Sequence, residues 1–389
     1  MSRIWLVALL AAAQIAGMTD ISDRIASVLE RAVTAQRIVG AVSRVVRDGK
    51  LVYHGAVGMA DREAGIAMTE TTPHRLASLT KPVTAVATLA LVGRGVLALD
   101  QPVTRWLPGF RPRFGDGTPA ITIHQLLTHT SGLGYGFLEP VDGPYHRAGV
   151  SDGLDQPGLS LAENLERLAG VPLRALPGTE FNYSLSFDVL GAILERAADA
   201  PFPEVIAREV TRPLDLAELG FRADGALATP YADGSPPQPI REGVPVPFPP
   251  FEVSFAPRRA LEPSSYASGG AGLIGTARDF ARFLEALRTR TIPTVPAPLV
   301  DAMMRDQIAP ITSEVLGPGY GQGYGAAVLR DPVAAASSLH AGAIRWGGAY
   351  GHSWFIDPAS RSMSVLLTNT AFEGMTGALR SEIEAAVCS

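Results

Sequence analysis

The order of secondary-structure patterns most constrains this chain, because strand patterns stand near both ends and helical patterns fill the middle. Residues 41–58, AVSRVVRDGKLVYHGAVG, predict two strands joined by Asp48 and Gly49, a pair that suits a tight hairpin turn with positive φ angles. Strand patterns return in GYGAAVL, AIRWGGAYGHSWFID and SMSVLLTNT, which are residues 323–329, 343–357 and 362–370. We therefore predict an α+β fold, with an antiparallel sheet built from both termini, flanking helices and a helical insertion.

Apolar residues at helical spacing predict the helices. The longest runs from Ala77 to Gly95, with Gly95 as its C-terminal cap. The segment from Thr229 to Pro263 is rich in proline, and we expect it to be irregular and to form a flap over a site. The other predicted helices are Asp23–Val33, Ile123–His129, Leu161–Leu168, Phe187–Ala198, Phe202–Val210, Ala277–Leu287 and Gly377–Val387.

The first residues, MSRIWLVALLAAAQIAGM, leave two interpretations open. Residues 1–18 are either a signal peptide, which would make the protein periplasmic or secreted, or the product of a start assigned too early, with Met18 as the true first residue of a cytoplasmic protein. Their apolar run is too short for a stable membrane anchor. The rest, 19–389, is expected to form one domain, with sheet regions at about 19–70 and 320–389 and a mainly helical or irregular region at about 71–319.

Composition excludes several classes of protein. With 389 residues, 47% of them hydrophobic, the chain can bury a large core. A net charge of -5 gives no basic surface for nucleic acid. Cys388 is the only cysteine, so the chain forms no internal disulfide and no thiolate cluster, and no histidine and carboxylate cluster has metal-ligand spacing. We expect neither a metal nor a cofactor, and nothing in the sequence specifies an oligomeric state.

One serine stands in GVSDG, residues 149–153, which fits the G-x-S-x-G pattern around the nucleophile of many esterases. His340 and His352 follow Ser151 in the order that such hydrolases use. That pattern works, however, only where a strand delivers the serine to a strained turn and a helix leaves it. Both flanks of Ser151 are crowded with Pro, Gly and Asp, so we interpret GVSDG as a loop without catalytic function.

Lysine usage points to another serine. Only Lys50 and Lys81 stand among the 33 Lys and Arg residues; Lys50 falls in the predicted hairpin turn, where it is expected to be solvated. Lys81 follows Ser78 by three residues in RLASLTKP, so on a helix both share one face. A buried lysine can be driven to the neutral amine and accept the serine proton, which arginine cannot do. The alternative is a capped helix with an exposed lysine.

The surrounding sequence resembles a known superfamily. RLASLTKPVTAVATLALVGRGVLALDQPVTRWLP, followed by ITIHQLLTHTSGLG, is similar to the serine β-lactamases and penicillin-binding proteins, and more closely to the family VIII carboxylesterases. The likeness runs from about Asp23 to Val387. It implies a class C β-lactamase fold, with Ser78 as the acylated nucleophile, Lys81 as its proton acceptor and Tyr183, in EFNYSLSFDVLG, as the second proton-transfer group.

A lysine cation beside Tyr183 would lower the pKa of the phenol and let it shuttle protons; a half-buried core tyrosine is the alternative. Many lactamases carry Asn two residues after this tyrosine, where this chain has Leu185. Where lactamases have K-T-G, this chain has Trp346, Gly347 and Gly348, and a tryptophan cannot pair with a substrate carboxylate. The resemblance implies an oxyanion hole of the backbone N–H groups of Ser78 and Ala349.

Other polar and aromatic residues receive secondary predictions. Asp188 either orients site groups or caps its helix, and His352 either lines the site or is a structural histidine. Tyr135 and Trp354 are candidate walls of an acyl pocket, with core packing as the alternative. His129 is expected to tie a helix end to its loop and to have no catalytic role.

Together these patterns predict a serine hydrolase, namely a carboxylesterase acting on short- to medium-chain acyl esters of small molecules. Three alternatives share the scaffold: a β-lactamase or D,D-peptidase, an acyltransferase or amide hydrolase, and a non-enzymatic penicillin-binding sensor. The sensor would acylate once and stay modified, whereas the set of Ser78, Lys81 and Tyr183 favours turnover.

Overall fold

The computed structural model describes residues 21–223 and 225–388, so the two interpretations of residues 1–18 concern a part of the chain outside the described residues. Among the described residues, no helix combines the length and the apolar character needed to cross a bilayer. The strands are β1 (Gly40–Arg47), β2 (Lys50–Asp61), β3 (Ile66–Ala67), β4 (His74–Arg75), β5 (Tyr231–Ala232), β6 (Gln238–Pro239), β7 (Val246–Phe248), β8 (Phe251–Val253), β9 (Ile274–Gly275), β10 (Tyr320–Gln322), β11 (Ala327–Leu329), β12 (Ile344–Gly348), β13 (His352–Asp357) and β14 (Ser362–Thr368).

One antiparallel sheet joins the two ends of the chain, in the strand order β10-β11-β12-β13-β14-β1-β2-β3. The two ends of the chain meet where β1 pairs with β14, with Val42 opposite Leu367. The predicted hairpin turn is present, with φ of 53° at Asp48 and 72° at Gly49, and Lys50 is exposed beside it. The predicted α+β class, with a sheet built from both termini, is therefore confirmed.

Helices cover the sheet and fill the insertion. They are α1 (residues 21–34), α2 (Thr80–Gly93), α3 (Ile123–Leu127), α4 (Pro144–Arg147), α5 (Leu161–Ala169), α6 (Ser186–Ala198), α7 (Phe202–Ile206), α8 (Ala277–Thr289), α9 (Ala297–Met303) and α10 (Ala378–Cys388). The helix predicted to reach Val210 ends as α7 and continues as a π-helical turn, Ala207–Thr211.

The sheet is buried on both faces because its strands alternate between two cores. On β14, Val365 and Leu367 belong to the core that includes α2 and α8, and Leu366 belongs to the core that includes α1 and α10. Each such fully buried aliphatic side chain stabilises the fold by about 1.5–3 kcal/mol. The strand that reaches the site, β12, is held in this sheet between β11 and β13.

Helix α2 is the central helix of the insertion, since all of its residues from Thr80 to Leu91 are buried. Its predicted end is confirmed: Gly95 has φ of 72° and donates its N–H to Val92 O at 2.9 Å, while Val96 N donates to Leu91 O at 3.0 Å. Its predicted start is wrong, because the α-helix begins at Thr80 and not at Ala77. Ala77 has φ of 46°, which no right-handed helix accommodates.

The proline-rich segment from Thr229 to Pro263 is more regular than predicted, because it contains two short hairpins, β5 with β6 and β7 with β8. The second hairpin is held by aromatic contacts, with Phe248 4.7 Å and Phe255 6.1 Å from Phe372, measured between ring centres. Apolar contacts with residues far away in the sequence therefore order this segment, although its own residues are typical of turns and loops.

Candidate active site

Ser78 lies in a tight turn between β4 and α2. The turn is a single 3₁₀ turn, Ala77–Leu79, that follows directly from the left-handed conformation of Ala77. Thr80 Oγ1 fixes it by donating to Ala77 O at 2.6 Å and accepting from Leu273 N at 3.0 Å. A left-handed alanine costs on the order of 1–3 kcal/mol, and such strain is typical of functional turns.

Lys81 points back at this serine from the first turn of α2. Its Nζ lies 3.0 Å from Ser78 Oγ and donates to Gly270 O at 2.9 Å. The side chain is completely buried. Burial lowers the pKa of Lys81 to about 7, against the opposing charge of Asp188. Burial therefore shifts Lys81 towards the neutral amine that the sequence prediction requires.

Asp188 is the buried counter-charge of Lys81 and lies in the first turn of α6. Burial raises the pKa of Asp188 to about 6, opposed by the Ser268 hydroxyl and by the charge of Lys81. A methyl group at Gly270 would lie 3.0 Å from Asp188 Oδ2 and 3.5 Å from Lys81 Nζ. The glycine thus leaves the room that lets the carboxyl and the amine share one buried pocket.

Tyr183 approaches the same serine from the loop before α6. Its hydroxyl lies 2.6 Å from Ser78 Oγ, and its ring centre lies 4.7 Å from Lys81 Nζ. Burial raises the pKa of Tyr183, while hydrogen bonding to Ser78 and Trp346 opposes the rise. The prediction that a lysine cation lowers this pKa is wrong, because burial outweighs the neighbouring groups and Lys81 is itself driven towards neutrality. Tyr183 is therefore a protonated phenol at neutral pH.

His129 holds the Tyr183 loop in place. Its Nδ1 accepts from Ser184 N at 3.2 Å, and its carbonyl accepts from Asn182 N at 2.8 Å. The ring is completely buried and packs 4.9 Å from the Tyr183 ring. The sequence predicts that His129 ties a helix end to its own loop; it holds instead the loop of Asn182 and Ser184, and Ser184 lies 55 residues from it in the sequence.

Strand β12 runs past the nucleophile turn. Trp346 packs against Tyr183, with ring centres 5.4 Å apart. A methyl group at Gly348 would lie 2.6 Å from Leu76 O, so only glycine lets the strand approach this closely. Ala349 follows directly, and both Ala349 and Ser78 border one cavity.

That cavity has a volume of about 380 Å³, and Ser78 lies in its wall. Aromatic rings form much of the rest of the wall near the serine: Tyr135, Phe137, Tyr183 and Trp346. Phe248 and Val253, from the second hairpin of the proline-rich segment, also line it. A second cavity, of about 430 Å³, lies beside Arg259 and Tyr266 and does not include Ser78, so we assign the chemistry to the first.

Four residues predicted to contact substrate do not border this cavity: Gly348, His352, Trp354 and Asp188. His352 is buried and hydrogen-bonds the carbonyl of Arg75, Nε2 to O 2.8 Å, so it supports the backbone before the nucleophile turn and lines no part of the cavity wall. Trp354 packs 6.2 Å from Phe280 in the core and is not a wall of an acyl pocket. Asp188 is buried, and its charge acts on Lys81. Tyr135, Trp346 and Gly347 do line the cavity.

Ser151 lies in a loop with neither a strand before it nor a helix directly after it, as its flanks predict. Its side chain is completely buried and its Oγ donates to Asp155 Oδ1 at 2.6 Å. Asn164 Oδ1 accepts from Ser151 N at 2.8 Å. The serine does not border the cavity around Ser78, and its contacts stabilise the loop.

Asp152 also lines the cavity, although it was not among the residues predicted from the sequence. Its carboxyl accepts from Gly136 N at 2.7 Å and from Phe137 N at 3.0 Å, and so fixes the segment that carries Phe137. Burial, together with the charge of Asp155, raises the pKa of Asp152 to about 8. No local pattern indicates this role, because the two segments meet only in the fold.

Among residues 21–223 and 225–388, no group of three His, Cys, Asp or Glu residues is placed to hold a metal ion.

Comparison with known proteins places this chain in a family. The profile of the Beta-lactamase family matches residues 25–388. The chain is 50% identical over 375 residues to Esterase EstB of Burkholderia gladioli, which covers 95% of each chain. It is 33% identical over 352 residues to Protein Rv1367c of Mycobacterium tuberculosis, which covers 82% of this chain and 83% of that one.

Solved structures agree. The fold superposes on EstCE1, described as a hydrolase with promiscuous acyltransferase activity, with a TM-score of 0.93 and 42% identity over 96% of this chain and 100% of that one. Simvastatin Synthase (LovD) of Aspergillus terreus shares the fold with a TM-score of 0.73 and 21% identity over 94% of this chain and 97% of that one.

Proposed function

The chain belongs to the β-lactamase family, and from that premise we propose that it is a serine carboxylesterase of the family VIII type, hydrolysing short- to medium-chain acyl esters of small molecules. The observation that carries this proposal is a serine hydroxyl with an amine at 3.0 Å and a phenol at 2.6 Å in the wall of one cavity. The similarity to two esterases or hydrolases over nearly the whole chain supports it.

In the proposed acylation, Lys81 is the base. The neutral amine donates one N–H in a hydrogen bond to Gly270 O, and its lone pair stays available to accept the Ser78 proton. Ser78 Oγ then attacks the ester carbonyl. Arginine at position 81 would not serve, because a guanidinium does not release its proton in a protein.

Negative charge develops on the carbonyl oxygen as the tetrahedral intermediate forms. We assign its stabilisation to the backbone N–H groups of Ser78 and Ala349, because both residues border the cavity. Donors fixed by the backbone need no reorganisation during the reaction and contribute several kcal/mol in related hydrolases, about 3–4 for a single donor. The close approach that Gly348 permits brings Ala349 to the nucleophile turn.

The proposed role of Tyr183 follows from its raised pKa. As a protonated phenol it donates to the leaving alkoxide, and Lys81 returns the serine proton to it. In deacylation, water attacks the acyl carbonyl and the neutral Lys81 takes up one proton, which Tyr183 relays by giving its own proton to Lys81 as it accepts the proton of the water. Ser78 then takes a proton back and the acid leaves. Each step moves one proton between groups that meet at Ser78 Oγ.

Trp346 favours a neutral ester link over a β-lactam at the reacting end. A K-T-G lysine at this place would hold a carboxylate beside the scissile bond, whereas an indole offers a ring face and one N–H donor. Trp346 instead packs on Tyr183 and walls the cavity with the other rings. These walls suit an acyl chain.

Acyl transfer is a second candidate activity, favoured by the 42% identity to a hydrolase described as having promiscuous acyltransferase activity. An aromatic wall at the serine lets an alcohol compete with water for the acyl-enzyme. Added ethanol should then divert part of the product from acid to ethyl ester. Production of acid alone at every ethanol concentration would remove this candidate.

The test compares two substrates on the wild-type protein. We expect kcat/KM for para-nitrophenyl butyrate to exceed kcat/KM for nitrocefin. Trp346→Lys should lower the ratio of the first value to the second, because it introduces the cation that lactamases have at this position. Faster turnover of nitrocefin by the wild type would identify a β-lactamase. One stable acyl adduct without further product would identify a sensor.

A further inference from the structure

Two arginine side chains also line the cavity around Ser78. Arg345 on β12 and Arg380 on α10 both line it, together with Tyr320 on β10. We propose that this group, the arginine pair, binds a carboxylate at the non-reacting end of the substrate. The inference rests on the proposed esterase function and adds to it a substrate class, namely esters that carry a second, anionic group.

The arginine pair shares a single carboxylate. Arg345 Nη1 lies 3.5 Å and Arg380 Nε 3.9 Å from the same oxygen, Glu384 Oε1. Arg345 Nη1 also donates to Tyr320 Oη at 3.1 Å. Because two guanidiniums face one acid, this part of the cavity keeps an excess positive charge.

Arg380 lacks a hydrogen-bond partner where one is needed. Its Nε is buried and donates to no acceptor in the described part of the chain, since 3.9 Å to Glu384 is too long for a hydrogen bond. A buried donor left unpaired is costly, so the unpaired Arg380 Nε calls for an explanation. Burial, together with the charge of Arg345, lowers the pKa of Arg380, as expected where positive charge lacks compensation.

A guanidinium matches a carboxylate in shape as well as in charge, because its planar N–H groups bond both oxygens at once. The wall of the same cavity also includes Trp346, Leu316 and Met375, whose apolar surfaces suit a hydrocarbon linker. The lining therefore suits an ester at the serine, an apolar chain, and a carboxylate at the arginine pair. The carboxylate belongs either to the acid or to the alcohol half of the ester.

Matched esters separate these two arms. In the acid arm, monoethyl suberate is compared with ethyl octanoate, and in the alcohol arm the butyrate ester of gamma-hydroxybutyrate is compared with butyl butyrate. In each arm one carboxylate replaces one methyl group. We expect the wild type to prefer the anionic ester, by kcat/KM, in at least one arm.

Variants then assign that preference to the arginine pair. Arg380→Gln should lower the anionic-to-neutral ratio of kcat/KM about tenfold or more, the scale of losing a charge-assisted hydrogen bond. Glu384→Gln should raise the ratio, because it removes the competing carboxylate. Arg380→Lys should retain part of the preference for the anionic ester, because lysine keeps the positive charge. The matched control is Arg282→Gln, an exposed arginine paired with Asp215, which should leave the ratio unchanged.

Inhibition gives a readout independent of turnover. Suberate dianion should compete with a neutral ester, and its inhibition constant should rise about tenfold in Arg380→Gln. A wild-type preference for the neutral ester in both arms would overturn the inference, as would an equal loss on both esters in Arg380→Gln. Failure of the wild type to hydrolyse any of the four esters would instead contradict the proposed function.

Discussion

The turn at Ser78 and the loop at Ser151 each hold a serine hydroxyl in short hydrogen bonds, yet the partners differ in kind. Ser78 Oγ meets the amine of Lys81 and the phenol of Tyr183 in a cavity wall. Ser151 Oγ meets the carboxylate of Asp155 and is completely enclosed. A base whose proton can leave, together with access for a substrate, is found only at Ser78 in this comparison.

The comparison also shows why the shorter motif misleads. The G-x-S-x-G motif indicates a nucleophile only where a strand leads into a strained turn at the serine and a helix follows it. Ser151 has neither a strand directly before it nor a helix directly after it. Ser78 has a strained turn of its own, made by the left-handed Ala77, and a helix that directly follows. The surroundings of a serine, more than its motif, indicate whether it can react.

The largest expected effect comes from exchanging the two serines for alanine. Ser78→Ala should lower kcat on para-nitrophenyl butyrate on the order of 10⁵- to 10⁶-fold, the scale seen when a hydrolase loses its nucleophile. Ser151→Ala should change kcat by less than about threefold, because Ser151 contacts no substrate. Steady-state kinetics on both purified variants checks this, and comparable losses in the two would break the comparison.

The next effect separates the phenols that accompany the two serines. Tyr183→Phe should lower kcat about 10²- to 10⁴-fold, because it removes a general acid. The matched control is Tyr266→Phe near Ser151, where the hydroxyl accepts from Asn164 Nδ2 at 3.0 Å. Kinetics on an ester with a poor leaving group should show the Tyr183 defect most clearly. A larger loss in Tyr266→Phe would contradict the assignment.

A third prediction concerns pH. Because the pKa of Lys81 is lowered to about 7 and its neutral form is the base, kcat/KM should rise as the pH rises through about 7 and then level off. The charge of Asp188 opposes the lowering, so Asp188→Asn should move this limb to lower pH. Asp155→Asn, beside Ser151, should leave it in place. A limb that moves to higher pH in Asp188→Asn would be inconsistent with Lys81 as the base.

The smallest effect reverses the ranking of the two serines. Ser151→Ala should lower the free energy of unfolding by about 1–2 kcal/mol, because it removes a buried hydrogen bond to a carboxylate. Ser78→Ala should lower it by less, since Ser78 is only half-buried and its turn is strained for function. Urea denaturation of both variants provides the comparison. Greater destabilisation by Ser78→Ala would mean that its turn is built for stability.

The sequence predicts the fold well wherever the signals are local. The Asp48-Gly49 hairpin, the glycine cap at Gly95 and the strands at both ends follow from short patterns. The start of α2 could not be predicted, because the conformational propensity of alanine gives no indication of the left-handed backbone at Ala77. The hairpins β5–β6 and β7–β8 also escaped, since contacts such as Phe248 with Phe372 join residues far apart in the chain.

The site residues also differ in how far the local sequence predicts them. The spacing of Ser78 and Lys81 is local and indicates the amine base, whereas Tyr183 was predicted only from the family resemblance. The direction of the Tyr183 pKa could not be predicted, because it depends on burial. Asp152 and Arg380 line the cavity through tertiary contacts that no spacing in the sequence shows.

The most direct test of the central claim is covalent labelling with an alkyl fluorophosphonate, followed by digestion and mass spectrometry of the serine-containing peptides. The account predicts one phosphonyl group on Ser78, none on Ser151, and no labelling of Ser78→Ala at the same reagent concentration. Label on Ser151 with Ser78 unmodified would contradict it.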